Sequence, residues 1–270
     1  AGFKITNDAT TVDKGIVIED VTSGATAGSQ FVWVPVGKIY TDTTRTDANS
    51  KTINLNRYTF NENGNPTAQG ENIISNYYQE LSSSDKGTTV SKNITDFKNS
   101  VSTNGGYYIG RYEARTTTPR TSADNALTQI TEKITDHIYN YVTQVQSAQL
   151  SQHMYNTSKF TSDLINSYAW DTAIIFIQKC TNQTNYANQT SLNDSFLATG
   201  TSIDKQCNIF DMASNVAEFP TETSNISSNP CVYRGGYYSS TLGYTSLRDN
   251  CIISSSTPTL GFRPILYLTI

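Results

Sequence analysis

The sequence predicts one irregular α+β domain spanning residues 1–270, and three observations point there. Strand-like segments are short and scattered. Apolar residues at helical spacing occur in only two places, both in the middle of the chain. The stretches between are dense in Gly, Asn, Ser and Thr, the residues of turns and loops. Few helices, short strands and long loops fit an α+β architecture.

The elements follow in order. Phe31-Val32-Trp33-Val34-Pro35-Val36 is apolar and β-branched, closes at Pro35 and Gly37, and reads as a strand. Residues 38–104 form a polar, turn-rich insertion with a sharp turn at Asn61–Pro66, where Asn and Gly tolerate left-handed backbone. Gly105-Gly106 leads into an alternating strand over Tyr107–Ala114. From 126 to 155, Leu127, Ile130, Ile134, Ile138, Val142, Val145 and Leu150 recur at near-helical spacing, which predicts a helix broken near Asn140. Asn166 or Ser167 caps a second helix from Tyr168 to about Lys179, with Trp170, Ala173, Ile174, Ile177 and Cys180 on one face. Beyond it, strands are expected only at Val232–Gly236 and Gly261–Leu268, side by side in a small central sheet.

Composition bounds the function. Charged residues are only 16% of the chain, and Tyr (17) outnumbers Phe (10) and Trp (2), a balance suited to an extracellular protein making adaptable contacts. A net charge of -4, with no lysine-rich run, argues against nucleic-acid binding, which needs cations to displace phosphate counterions. The longest apolar runs, such as Ile174–Ile177, are too short to enter a bilayer as a span. The opening Ala1-Gly2-Phe3 reads as a processed or truncated ectodomain.

Four cysteines, Cys180, Cys207, Cys231 and Cys251, all fall in the second half and none is spaced as C-x-x-C. An even number in a polar, extracellular-type chain reads as two disulfides with three connectivities, Cys180–Cys207 and Cys231–Cys251 being the pairs expected; four separate buried thiols are the alternative. His137 and His153, both on the expected helix, match no metal-binding spacing, and no G-x-S-x-G elbow accompanies them.

Four segments in order carry a resemblance: Phe31–Gly37, Tyr107–Ala114, Asn208–Phe219, and Arg234-Gly235-Gly236 with Leu260-Gly261-Phe262-Arg263. Together they resemble the formylglycine-generating-enzyme, or sulfatase-modifying-factor, family over residues 31–268. The resemblance implies a C-type-lectin-like fold with small antiparallel sheets. Enzymes of that family hold copper(I) with two cysteines beyond R-G-G, and the matching positions here are Ser240 and Thr245. Hydroxyls are poor ligands for a soft ion, so the resemblance implies the fold without the oxidase chemistry. No cofactor is required. Calcium is the candidate metal, because Asp211, Ser214, Val216 and Glu218 occupy the positions of a calcium set in some members. Alternatively, Asp211 and Glu218 pair with Arg234 or Arg263 in the framework.

The segment 237–259 also resembles the rewritten stretch of variable proteins of diversity-generating retroelements. Tyr237, Tyr238, Leu242 and Tyr244 would supply contact area, and Ser240, Thr241, Thr245, Ser246, Asn250, Ser254 and Ser255 adaptable hydrogen bonds. Arg234, Gly235, Gly236, Gly261, Phe262 and Arg263 are expected to be buried framework. The expectation is a non-catalytic module that binds a protein or glycan receptor from an extracellular, cell-surface or phage-virion position. The Gly2-Phe3-Lys4-Ile5 start and the Phe31–Pro35 strand also resemble the distal domain of pilin-like precursors, which would make the chain a tip subunit attached to a surface fibre.

Overall fold

In the computed structural model, which describes residues 2–9, 11–78, 94–134, 137–238 and 240–269, the Phe31–Val36 segment forms the strand Gln30–Pro35. Phe31 and Val32 point to opposite faces and both are fully buried, so layers cover this sheet on either side. Along the chain, the strands of the two six-stranded sheets begin with β1 (Phe3–Ile5), β2 (Val17–Asp20), β3 (Gln30–Pro35), β4 (Tyr77–Tyr78), β5 (Gly106–Gly110) and β6 (Phe160–Leu164). They continue with β7 (Ala217–Phe219), β8 (Thr223–Ser224), β9 (Cys231–Arg234), β10 (Arg248–Cys251), β11 (Leu260–Phe262) and β12 (Pro264–Leu268). The first sheet runs β1-β2-β3-β5-β12-β6, all antiparallel. The second runs β11-β7-β9-β8-β4, with β10 beside β9.

The fold is α+β, with three α-helices among the described residues: α1 (Ile94–Asn104), α2 (Gln144–Met154) and α3 (Ser167–Cys180). Helix α3 starts as expected, with the Asn166 side chain accepting from the Ala169 N–H at 2.9 Å. It does not bury one face, however. Every residue from Ser167 to Ile177 is buried, so α3 is the central post of the larger apolar core.

The helix expected over 126–155 is confined to Gln144–Met154. A capping box, Thr143 with Gln146, starts it there. Upstream, Ile130 and Val142 are buried from irregular backbone and Ile138 from a two-residue strand, Leu127 and Ile134 are exposed, and residues 135 and 136 lie outside the described ones. His137 therefore sits in a two-residue ladder with Thr116, not on a helix. The strand expected over Tyr107–Ala114 ends at Gly110. In the 38–104 insertion, the Asn61–Pro66 turn forms with Gly64 at φ 74° and the Asn61 carboxamide oxygen accepting from the amides of Asn63 and Asn65. Residues 79–93 of that insertion lie outside the described residues.

One pairing differs from expectation. The strands beginning at Val232 and Gly261 are not neighbours: β7 lies between them, antiparallel to β9 and parallel to β11. After Phe262 the chain leaves the second sheet and enters the first as β12. Arg263 stands at that crossover. Its guanidinium grips Glu218 of β7 through Nε, at 3.0 and 2.7 Å, and reaches the Gly110 carbonyl of β5 at 3.2 Å.

Candidate recognition face

The segment after Arg234 is shaped by its glycines. Gly235, at φ 79°, and Gly236 lie so close to the Met212–Ala213 backbone that β-carbons there would stand 2.7 Å and 2.2 Å from its carbonyl oxygens. The chain then turns over residues 240–244, where the Ser240 hydroxyl oxygen accepts from the amides of Leu242 (3.3 Å) and Gly243 (3.0 Å). It descends at Thr245, whose amide and hydroxyl both donate to the Gln189 carbonyl, and at Ser246, whose amide donates to that of Ala187. β10 follows.

Leu242 stands at the tip, 85% exposed, with Thr241 and Tyr244 exposed beside it. Tyr238 is half-buried, its ring edge-on to Phe196 with centroids 5.8 Å apart. Phe196 and Leu192 are themselves exposed, and Thr190 bridges Tyr244. Residues 190–197, 238 and 240–244 thus form one continuous face in which aromatic and aliphatic side chains stand among Ser, Thr and Asn. Asn215, left-handed at φ 68°, fastens the two parts. Its side chain accepts from the Leu197 amide and donates to the Leu197 carbonyl and Glu113, while its own carbonyl accepts from the Tyr238 amide at 2.9 Å. The neighbouring Ser214 hydroxyl accepts from the Leu192 amide.

Charge is buried under the face. Three guanidiniums, Arg57, Arg234 and Arg248, surround two carboxylates, Asp171 and Glu222. Arg234 meets Asp171 at 2.6 Å, Arg57 meets Glu222 at 2.9 Å, and Arg248 bonds both acids. Burial opposes ionisation of Glu222, but Arg248, Arg234 and Arg57 outweigh it and hold the carboxyl down at about 2. The network ties β9 and β10 to α3.

No protein-family profile and no curated protein matches the sequence. Three solved structures align with this chain. One, "Major Tropism Determinant M1 Variant", aligns at 13% identity over 100% of this chain and 83% of its own, with a TM-score of 0.39. "Treponema denticola variable protein 1" aligns at 12% over 90% and 98%, with a TM-score of 0.35. "Major Tropism Determinant P3c Variant" aligns at 14% over 100% and 84%, with a TM-score of 0.38.

The residues expected to bind divide. Tyr238, Ser240, Thr241, Leu242 and Tyr244 belong to the face. Thr245 and Ser246 do not: both are buried, because their amides are spent on the 187–189 backbone. Tyr237 packs against the second core cluster. Asn250 lies within β10 with its side-chain nitrogen donating to the Tyr77 hydroxyl at 3.3 Å, and Ser254 and Ser255 sit at the opposite end of the β9–β10 ladder. Ser239 lies outside the described residues. Arg234, Gly235, Gly236, Gly261, Phe262 and Arg263 are buried, as framework residues should be.

Of the four positions expected to hold calcium, the two carboxylates are engaged with the protein itself. Glu218 is held by Arg263, the alternative pairing. Asp211 accepts from the Ser202 hydroxyl and the Gly200 amide. Among the described residues no group of three or more His, Cys, Asp or Glu side chains is placed to hold a metal ion. Of the cysteines expected to pair, Cys231 and Cys251 lie directly opposite each other in β9 and β10.

The sequence reading missed residues 190–197 and the buried acids Asp171, Glu222, Glu113, Glu132 and Asp204. Asp171 had a signal. It stands between Trp170 and Ala173-Ile174 in an apolar helix, a place that demands a buried cation.

Proposed function

We propose that the protein is a non-catalytic recognition module of C-type-lectin-like type, whose contact face is formed by residues 238, 240–244 and 190–197. One observation carries this reading: Leu242, Tyr244, Tyr238, Phe196 and Leu192 stand together on the surface while the chain beneath them is fixed by buried hydrogen bonds and ion pairs. A patch of exposed apolar side chains with polar edges on a rigid base is the anatomy of an interaction site. The ligand is a protein or glycan receptor met outside the cell, with the module displayed on a virion, a cell surface or a fibre. The positions matching the copper ligands support the absence of oxidase chemistry. Ser240 is occupied in building the turn, and Thr245 is closed to solvent.

Binding to arrayed surface proteins and glycans tests the proposal. The Tyr238→Ala/Tyr244→Ala double variant should lose the interactions that the parent makes while melting at nearly the same temperature. Unchanged binding by that variant would remove the face from consideration.

A further inference from the structure

Away from this face lies a cleft of about 540 Å³ whose lining includes Asp13, Lys14, Cys180, Lys205 and Cys207. Cys180 is the last residue of α3. Cys207 and Asn208 form the two-residue turn between the short strands Lys205–Gln206 and Ile209–Phe210, at φ 46° and 64°. Left-handed backbone at both positions is what such a tight hairpin requires, and Asn is an ordinary occupant. Cysteine is not, because its β-carbon crowds the backbone there. The turn is also held down: the Asn208 side chain donates to the Lys14 and Gly15 carbonyls at 3.2 and 2.9 Å. The Cys207 sulfur is thereby fixed 3.5 Å from the Asp13 carbonyl oxygen. Both cysteines are half-buried and line this same cleft.

We propose that Cys180 and Cys207 are a redox-responsive pair, cross-linked by exchange with a small-molecule disulfide that enters this cleft. One protein thiolate attacks the external disulfide and releases one external thiol. The second protein thiolate then attacks the mixed disulfide and releases the other. Two protein S–H bonds and one external S–S bond become one protein S–S bond and two external S–H bonds. The external disulfide takes up the two electrons, and its thiols carry the two protons.

The bond would join the two supports of the recognition face. Helix α3 carries Trp170 and Asp171, which hold the descending limb of the loop and its arginines. The hairpin runs straight into Asp211–Asn215, whose Ser214 and Asn215 hold residues 192–197 and 238. Cross-linking would therefore stiffen the base without touching the contact residues. The inference does not depend on the face binding anything.

The test is redox titration of the full chain in oxidised and reduced glutathione, followed by peptide mapping. Peptides bearing Cys180 and Cys207 should become joined, and dithiothreitol should separate them. The linked form should melt about 10 °C higher, the shift expected for closing a loop of this length in a chain of this size. Cys180→Ser should leave Cys207 as a glutathione adduct and abolish the shift. Cys207→Asn, which suits the left-handed turn, should abolish the cross-link even if the serine variant folds poorly. Separate glutathione adducts on both cysteines of the parent chain, or pairing of either with Cys231 or Cys251, would overturn the proposal. So would a cross-link that leaves melting and amide exchange at residues 211–215 unchanged.

Discussion

The indole N–H of Trp170 donates to the Thr245 carbonyl at 2.9 Å, so a fully buried helix side chain carries the descending limb of an exposed loop. The same ring has the Arg234 guanidinium 5.5 Å from its centroid, which couples the loop's anchor to the buried charges. Replacing Trp170 with Phe keeps most of the volume but leaves that carbonyl without its donor. We expect a loss of about 1–3 kcal/mol in urea unfolding. Faster amide exchange should be concentrated at residues 244–247.

The Arg57–Asp171–Glu222–Arg234–Arg248 network should fail sharply when one acid is neutralised. Glu222→Gln leaves Arg57 and Arg234 buried without their shared carboxylate, and breaking such a pair costs about 3–5 kcal/mol. The Glu222 carboxyl is held at about 2 in the fold. Its contribution is therefore complete above its unfolded value and is lost as the pH falls from there through about 2. Acid unfolding of the parent near pH 2 should be blunted in the Gln variant, which starts from a lower plateau.

Asp211 acts with the opposite sign. Burial, and then the charge of Asp204, outweigh the Ser202 and Gly200 hydrogen bonds and raise its carboxyl to about 7. Glu113 and Glu132, fully buried, are raised too. A raised folded value means the fold prefers the protonated acid, so stability present at pH 4 is lost as pH rises through about 7. Thermal melts should show a higher melting temperature at pH 5 than at pH 8. Asp211→Asn should flatten that slope; an unchanged slope would show that Asp211 does not titrate in this range.

Leu242 offers a test of the face that leaves the foundation alone. At 85% exposure it contributes little to the core, so Leu242→Asp should change unfolding free energy by no more than about 0.5 kcal/mol. A charge at the apex of an apolar contact should nevertheless abolish ligand binding. Equal binding by parent and variant would move the contact elsewhere.

Cys231 and Cys251 are direct partners across the antiparallel β9–β10 ladder. Opposed α-carbons in such a ladder stand about 4.5–5.5 Å apart, within the span of a disulfide. In oxidising buffer, peptide mapping should find these two joined, with a gain of about 3 kcal/mol. Both residues taking up alkylating reagent after oxidation would refute the pairing.

What was legible in the sequence was local. Strand β3, the Asn61–Pro66 turn and the capped start of α3 each depend on neighbours a few residues away, and each is where the residues place it. The tip of the loop was legible through its Tyr and Leu content. Spacing misled between 126 and 143, where irregular backbone and a two-residue strand bury Ile130, Ile138 and Val142 at helix-like intervals. The second part of the face was out of reach, because Leu192 and Phe196 join Tyr238 only through Ser214 and Asn215. Thr245 looked like the rest of the loop, and its burial depends on a carbonyl 56 residues earlier.

The placement of residues 264–268 between β5 and β6 has a consequence for biogenesis. These residues follow β1 to β11 in the chain, yet they fill an inner position of the first sheet. Until they are in place, β5 and β6 each present an unpaired inner edge. The nascent chain must therefore be kept from pairing with its neighbours up to that point. Deleting those few residues would open the sheet at its middle, where losing a rim strand such as β1 would only shorten it.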